Sequence, residues 1–264
     1  MNKKEIEFAN LRYEIANKNL TYAFIGGKQI GVECLKYLIE LEWYPSYVIV
    51  NKGETGVLNS KRWHDDLYAY SKAKEFDTHR YDEIAINKLI FNNPDIVFCI
   101  GGMHILPEDI VAKVPCINIH PALLPKYRGR YSIPWMIFNG EAVGGTTIHY
   151  MNKDMDAGDI IKQSPYPITQ NDTSLSLWER FTKDGLELFK KFVSCYLLDK
   201  EINTTAQVES NATYTGNILP NNGIINPEWN MKTLDRFLRA MYHPPHLMPV
   251  IVSGDKKFKL EETT

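Results

Sequence analysis

Three side chains in this sequence have the types and spacing that carry chemistry. Asn118 and His120 stand two residues apart in the run Cys116-Ile-Asn-Ile-His120-Pro121. Residues i and i+2 of a strand point to one face, so a strand ending here brings an amide and an imidazole together. Asp156 follows in a loop after the next apolar run, flanked by Ala157 and Gly158. A carboxylate beside an imidazole orients it and raises its pKa. The same pattern also fits a hydrogen-bonded structural histidine with an unrelated loop aspartate.

The elements that must position these residues read as α/β. Residues 3–19 form a helical extension with Ile6, Phe8, Leu11 and Ile15 near helical spacing. Short apolar runs at Thr21–Ile25, Tyr47–Val50, Asp95–Ile100, 116–119, 145–151 and 159–168 read as strands. Helical patterns at Ile30–Leu41 and 82–92 alternate with the early runs, which implies βαβ units and a mostly parallel sheet. Residues 51–66 are polar and read as a loop; Asp172-Thr173-Ser174 caps a long helix to about Leu198. Residues 201–231 read as irregular, 232–242 as a short helix, and the run around Ser253-Gly254-Asp255 as a hairpin. The expected fold is a doubly wound, Rossmann-like α/β sheet over residues 1–200, with a small subdomain over 201–264. In an open sheet of this kind the crevice at the carboxyl ends of the strands is the usual site, which is where Asn118 and His120 fall.

Composition narrows the classes. The 264 residues carry 30 Lys and Arg against 32 Asp and Glu, a net charge of −2, which disfavours a dedicated nucleic-acid binder. No apolar run approaches the roughly 20 residues needed to span a bilayer, and the polar start predicts no secretory leader. Cys34, Cys99, Cys116 and Cys195 lack CxxC spacing and sit in apolar surroundings, so they read as buried free thiols of a reducing cytoplasm.

Several chemistries are excluded by pattern. Gly26-Gly27-Lys28-Gln29-Ile30-Gly31 fits a dinucleotide loop poorly, and Val50-Asn51-Lys52 offers no acid for a ribose, so a nicotinamide enzyme is rejected. No GxSxG motif supports a serine hydrolase. His64, His79, His104 and His149 show no metal-ligand pairing and read as loop or core imidazoles, so no metal is expected. Trp178, Phe181, Phe189 and Phe192 read as helix core.

The stretch 118–160 resembles a known family. Asn118-Ile-His120-Pro121-Ala-Leu123-Leu124-Pro125-x-Tyr127-Arg128-Gly129 is similar to the signature of the N10-formyltetrahydrofolate-dependent formyltransferases. Asn139-Gly140-Glu141, Gly145-Thr-Thr-Ile-His149 and Asp156-Ala-Gly158-Asp159-Ile160 follow in the family's order, and the resemblance covers roughly residues 20–250. It implies formyl transfer with Asn118 and His120 donating to the oxyanion and Asp156 orienting His120 and taking the amine's proton. It also implies that Met103, Ile105, Leu106 and Pro107, together with Asp154 and Met155, bracket the pterin.

Among the branches of the family, the resemblance points to nucleotide-sugar N-formyltransferases. The folate hydrolase carries a preceding domain, for which the 19 residues before the first strand are too few. The tRNA enzymes carry a basic C-terminal barrel, whereas residues 201–264 hold six Lys and Arg against seven Asp and Glu. Arg128-Gly-Arg130-Tyr131-Ser132 and the tail 219–245 resemble the sugar enzymes. The implied acceptor is a dTDP-linked 4-amino-4,6-dideoxyglucose destined for O-antigen, with dTDP-3-amino and GDP-linked 4-amino sugars and methionyl-tRNA as alternatives. A non-catalytic folate or nucleotide-sugar binding protein is the alternative from another class. Arg128, Arg130, Tyr131 and Ser132 precede an expected helix and are candidates for the pyrophosphate. Trp63, beside Lys61 and Arg62, is a candidate for stacking on the base. Tyr242 and His243 are candidates for the sugar nucleotide. The exposed edge of the C-terminal hairpin, with the resemblance, implies a homodimer.

Overall fold

The computed structural model describes residues 3–52, 66–244 and 246–260. It packs as two compact units, each built from three stretches of chain: unit 1 holds residues 1–119, 148–162 and 185–206, and unit 2 holds 120–147, 163–184 and 207–264.

The chain begins with α1 (Lys3–Lys18), β1 (Tyr22–Gly26), α2 (Lys28–Glu40) and β2 (Tyr47–Val50). Next come α3 (Leu67–Ala73), β3 (Thr78–Arg80), α4 (Glu83–Asn92), β4 (Ile96–Ile100) and α5 (Glu108–Val111). They are followed by β5 (Cys116–His120), β6 (Arg128–Gly129), α6 (Ser132–Asn139), β7 (Val143–Tyr150) and β8 (Ile160–Pro167). The remainder is α7 (Ser174–Leu197), β9 (Tyr214–Thr215), α8 (Met231–Met241), β10 (Val250–Ser253) and β11 (Lys256–Lys259). The main sheet has the order β3-β2-β1-β4-β5-β7-β8. The pairs β1/β2, β1/β4, β2/β3 and β4/β5 are all parallel. Strand order reverses between β1 and β4, the switch point at which ligands enter such sheets.

In unit 1 the parallel strands are buried on both faces, as βαβ crossovers require. Ala23, Ile25, Tyr47, Ile49, Val97 and Cys99 alternate onto one face and pack with Ala85, Ile86 and Leu89 of α4. The other face is aromatic: Phe98 lies 5.4 Å from Tyr22 and 5.0 Å from Phe189 between ring centroids. Gly26 is required at the end of β1, because a Cβ there would sit 1.9 Å from the Ile100 carbonyl. The Gly26-Gly27 pair is thus a close βα packing point.

In unit 2, α6 and α8 meet through Phe138, Trp229 and Phe237, with centroids 4.8–6.1 Å apart. The long α7 starts at a reciprocal cap, in which Thr173 Oγ1 accepts from the Ser176 amide and Ser176 Oγ accepts from the Thr173 amide. Phe181, like Phe189 and Phe192 further along the helix, is buried. β10 and β11 form the expected hairpin, turning at Gly254 with φ 57°.

α3, β3, α5 and the two-residue strands β6 and β9 are too short to be legible in the sequence. α3 is a seven-residue helix held by an Asp66 cap, and β3 is three residues long, so neither shows enough of its period. All four cysteines are free, and three are buried. Among the described residues no helix is long and apolar enough to cross a membrane.

Candidate active site

The site begins where β5 and β7 end. In unit 1, Asn118 Nδ2 donates to Asp156 Oδ1 at 3.2 Å and lies 3.2 Å from His149 Nε2. His149 is buried, and its Nδ1 lies 2.7 Å from the Tyr150 carbonyl oxygen. That peptide is held on both sides, since the Tyr150 amide donates to Asp159 and the Met151 amide donates to Cys116 of β5. Asp156 adopts a left-handed backbone, φ 52°, in the loop joining β7 to β8. Gly158 lets that loop close, because a Cβ would stand 2.0 Å from the Tyr150 carbonyl oxygen. The Asp156 side chain keeps 13% of its surface exposed. Burial, with the Asp156 charge nearby, pushes the Cys99 thiol up to about 12.

His120 is the last residue of β5, two positions beyond Asn118 on the same strand. In unit 2 its Nε2–H donates to the Tyr127 carbonyl at 2.8 Å, with Ser132 Oγ at 3.4 Å. Tyr127 is itself braced. Its amide donates to Thr213 Oγ1, its hydroxyl donates to Glu141 Oε1 at 2.6 Å, and Asn139 Nδ2 donates to that hydroxyl. Burial, then the Glu141 bond, raises the Tyr127 phenol to about 12. Asn139-Gly140-Glu141 therefore fixes the loop that receives His120.

The loop after β4 is pinned by Asn51 and Tyr81. Asn51 Nδ2 donates to the Gly101 carbonyl, and Asn51 Oδ1 accepts from the Met103 amide. Tyr81 donates to the Ile105 carbonyl and stacks on His104 at 3.7 Å. Met103 and Ile105 stand exposed at 44% and 58%, whereas Leu106 is buried in the unit 1 core and Pro107 precedes α5. Leu106 thus anchors the loop from below. In the β7–β8 loop, Asp154 turns on Asn152 and Met155 is exposed. Asn51 was noticed in the sequence only as a missing acid; its role becomes visible once β2 and β4 are placed on either side of β1.

The expected pyrophosphate group separates into two kinds of residue. Arg128 requires correction as a ligand: its residue is 0% exposed. Its guanidinium is committed to Gln207 Oε1, to Glu209 and to the Tyr214 hydroxyl, pairing β6 with β9. Ser132 is likewise buried, turned toward His120. Arg130 is exposed and donates to Asn217, and Tyr131 is 36% exposed at the start of α6. Tyr242 ends α8, where its carbonyl accepts from the Leu175 amide, and His243 lies against Trp178. Trp63 lies outside the described residues. No group of three or more His, Cys, Asp or Glu able to hold a metal occurs among the described residues.

An amide, an imidazole and a carboxylate thus meet at the carboxyl ends of β5 and β7 and in the loop that follows β7. Residues 39–193 match the formyl transferase family, and the chain belongs to it. It is 33% identical over 167 residues to the GDP-perosamine N-formyltransferase of Brucella melitensis biotype 1, across 62% of this chain and 63% of that enzyme. The match therefore spans less than two thirds of that relative's length. It is 32% identical over 234 residues to the methionyl-tRNA formyltransferase of Limosilactobacillus fermentum, across 84% of this chain and 72% of that one. Among solved structures it resembles the N-formyltransferase from Helicobacter canadensis in complex with folinic acid and dTDP-3-aminofucose. That likeness has a TM-score of 0.70 at 25% identity and covers 84% of this chain and 80% of the other.

Proposed function

We propose that this protein transfers the formyl group of N10-formyltetrahydrofolate to the amino group of a nucleotide-linked amino sugar. The observation that carries the reading is the Asn118–Asp156 hydrogen bond beside buried His149, with His120 two residues further along β5. Membership of the formyl transferase family supports the reaction class. The GDP-perosamine relative and the dTDP-3-aminofucose complex support an amino-sugar acceptor.

The exposed Met103 and Ile105 side chains and the pinned backbone of that loop fit a flat ring with hydrogen-bonding edges. The folate co-substrate supplies an electrophilic formyl carbon: a C–N bond forms to the sugar amine, the bond to N10 breaks, and N10 leaves with a proton. Asn118 donates an N–H to the oxyanion that develops, an interaction worth about 10²–10³ in rate. The Nδ1–H of a doubly protonated His120 donates to the same oxygen, its Nε2–H staying on the Tyr127 carbonyl. Asp156 takes the proton that leaves the attacking amine. Arg130 and Tyr131, exposed at the start of α6, are the residues we assign to the acceptor's phosphates. We assign the hairpin β10–β11, where Ile251, Val252, Phe258 and Leu260 are exposed, to a homodimer contact. Light scattering that returns a monomer mass at micromolar concentration overturns that assignment.

Our first acceptor is dTDP-4-amino-4,6-dideoxyglucose, with GDP-perosamine beside it. Methionyl-tRNA is the second reading, favoured by the longer match to the Limosilactobacillus enzyme. The charge of residues 201–264 opposes it, with seven acids against six bases. The deciding experiment supplies N10-formyltetrahydrofolate with each acceptor and Asn118→Ala as control. Formylated sugar, lost in the variant, is the expected result. Formylated methionyl-tRNA alone selects the second reading. Formate released without acceptor means hydrolysis, and no folate turnover means a binding protein.

A further inference from the structure

We propose that His149 is a positioning residue that fixes which way round the Asn118 amide faces. The inference deepens the proposed function and rests on it for its kinetic readout only.

A backbone carbonyl oxygen can only accept a hydrogen bond. The Tyr150 carbonyl lies 2.7 Å from His149 Nδ1, so Nδ1 carries the proton of the neutral ring. Nε2 then holds a lone pair. The group facing it at 3.2 Å is an end of the Asn118 amide, and only the NH2 end can donate to that lone pair. The amide oxygen is therefore turned away. Asp156 Oδ1, also 3.2 Å from Nδ2, takes the second N–H. His149 and Asp156 are 3.7 Å apart, too far for a hydrogen bond between them, and Asn118 is the bridge.

The Tyr150 carbonyl has little freedom to alter this. The N–H of its own peptide, that of Met151, donates to the Cys116 carbonyl of β5, the adjoining Tyr150 amide donates to the Asp159 carbonyl, and Gly158 packs directly against the oxygen. A rigid backbone acceptor thus sets a tautomer, and the tautomer sets an amide. This matters for turnover because Asn118 has two N–H groups and three acceptors once a formyl oxygen arrives. His149 retains one N–H, so the other can pass from Asp156 to the oxyanion without the amide turning over. The same exchange releases the Asp156 oxygen for the amine's proton.

The test compares His149→Phe, which keeps a flat ring but removes the acceptor, with His149→Gln, whose side-chain oxygen can replace Nε2. The expected result is a loss of about 10²-fold in kcat for the phenylalanine variant with KM values within about twofold. The glutamine variant should recover at least about tenfold of that loss. Wild-type kcat in His149→Phe, or equal losses in both variants, overturns the proposal. The second readout is the Asn118 side-chain amide in ¹⁵N-labelled protein, assigned by its absence in Asn118→Ala. Two inequivalent, exchange-protected protons are expected in the wild type and loss of that protection in His149→Phe; unchanged protons overturn the proposal. An inactive wild type sinks the proposed function, while this second readout still decides the role of His149.

Discussion

The backbone carbonyl of Tyr127 receives the Nε2–H of His120 at 2.8 Å, so a neutral His120 has its one ring proton already placed. Donation to a second acceptor then falls to Nδ1 and needs a second proton on the ring. The Tyr127 carbonyl is aimed by a residue with a left-handed backbone, φ 59°, whose phenol is tied to Glu141 and Asn139.

Loosening that brace should therefore be felt at His120. Tyr127→Phe and Glu141→Gln are expected to lower kcat by about tenfold, since small misplacements of a catalytic group cost that much or more. Steady-state kinetics check this. The double variant should lose little more than either single variant, because both act through one hydroxyl.

Gly158→Ala places a methyl group 2.0 Å from the Tyr150 carbonyl oxygen. The β7–β8 loop must move, and overpacking of this kind costs about 1–3 kcal/mol. Thermal melting should show that loss. Activity should fall further than stability does, because the displaced loop carries Asp156.

Arg128 and Arg130 should behave oppositely despite their proximity in sequence. Arg128→Met removes a buried cation that binds Gln207, Glu209 and Tyr214, and is expected to cost about 2 kcal/mol in a denaturant melt. Arg130→Met is expected to leave the melt within about 0.5 kcal/mol and to raise the acceptor's KM. A destabilised Arg130 variant with unchanged KM would count against its assignment to phosphate.

The thiols give a pH-dependent test. Burial holds Cys99 near 12 and raises Cys34 and Cys116 as well. At pH 8 these thiols stay protonated, and their thiolate fraction grows only as pH rises well beyond the ordinary thiol range. Iodoacetamide followed by mass spectrometry should find these three unmodified in the native protein and fully modified after unfolding.

Legibility of the sequence tracked the length of each pattern. The parallel core was readable because β1, β2 and β4 are continuous apolar runs, and α7 because it shows six turns and a cap. The family resemblance came from the unbroken motif around Asn118 and is upheld by the match over residues 39–193. Asn118 and Asp156 are 38 residues apart, and the structure brings them into a hydrogen bond. His149 was read as a core imidazole, since a single buried histidine carries no signal until its neighbours are known. Arg128 misled for a related reason: an arginine before a helix suits an anion, but Gln207, Glu209 and Tyr214 lie about 80 residues on and had already taken it.

The interleaving of the two units bears on how such a chain is made and how it changes. The polypeptide passes from one unit to the other after residues 119, 147, 162, 184 and 206. During synthesis unit 1 lacks its last stretch until residue 206 has been added, by which time two pieces of unit 2 are already present. Unit 1 is completed in the presence of those pieces, unlike the first of two consecutive domains, which is complete before the second is made. A single genetic crossover cannot exchange either unit as a separate block. Specificity in such a chain is expected to diverge by substitution within loops rather than by swapping of parts.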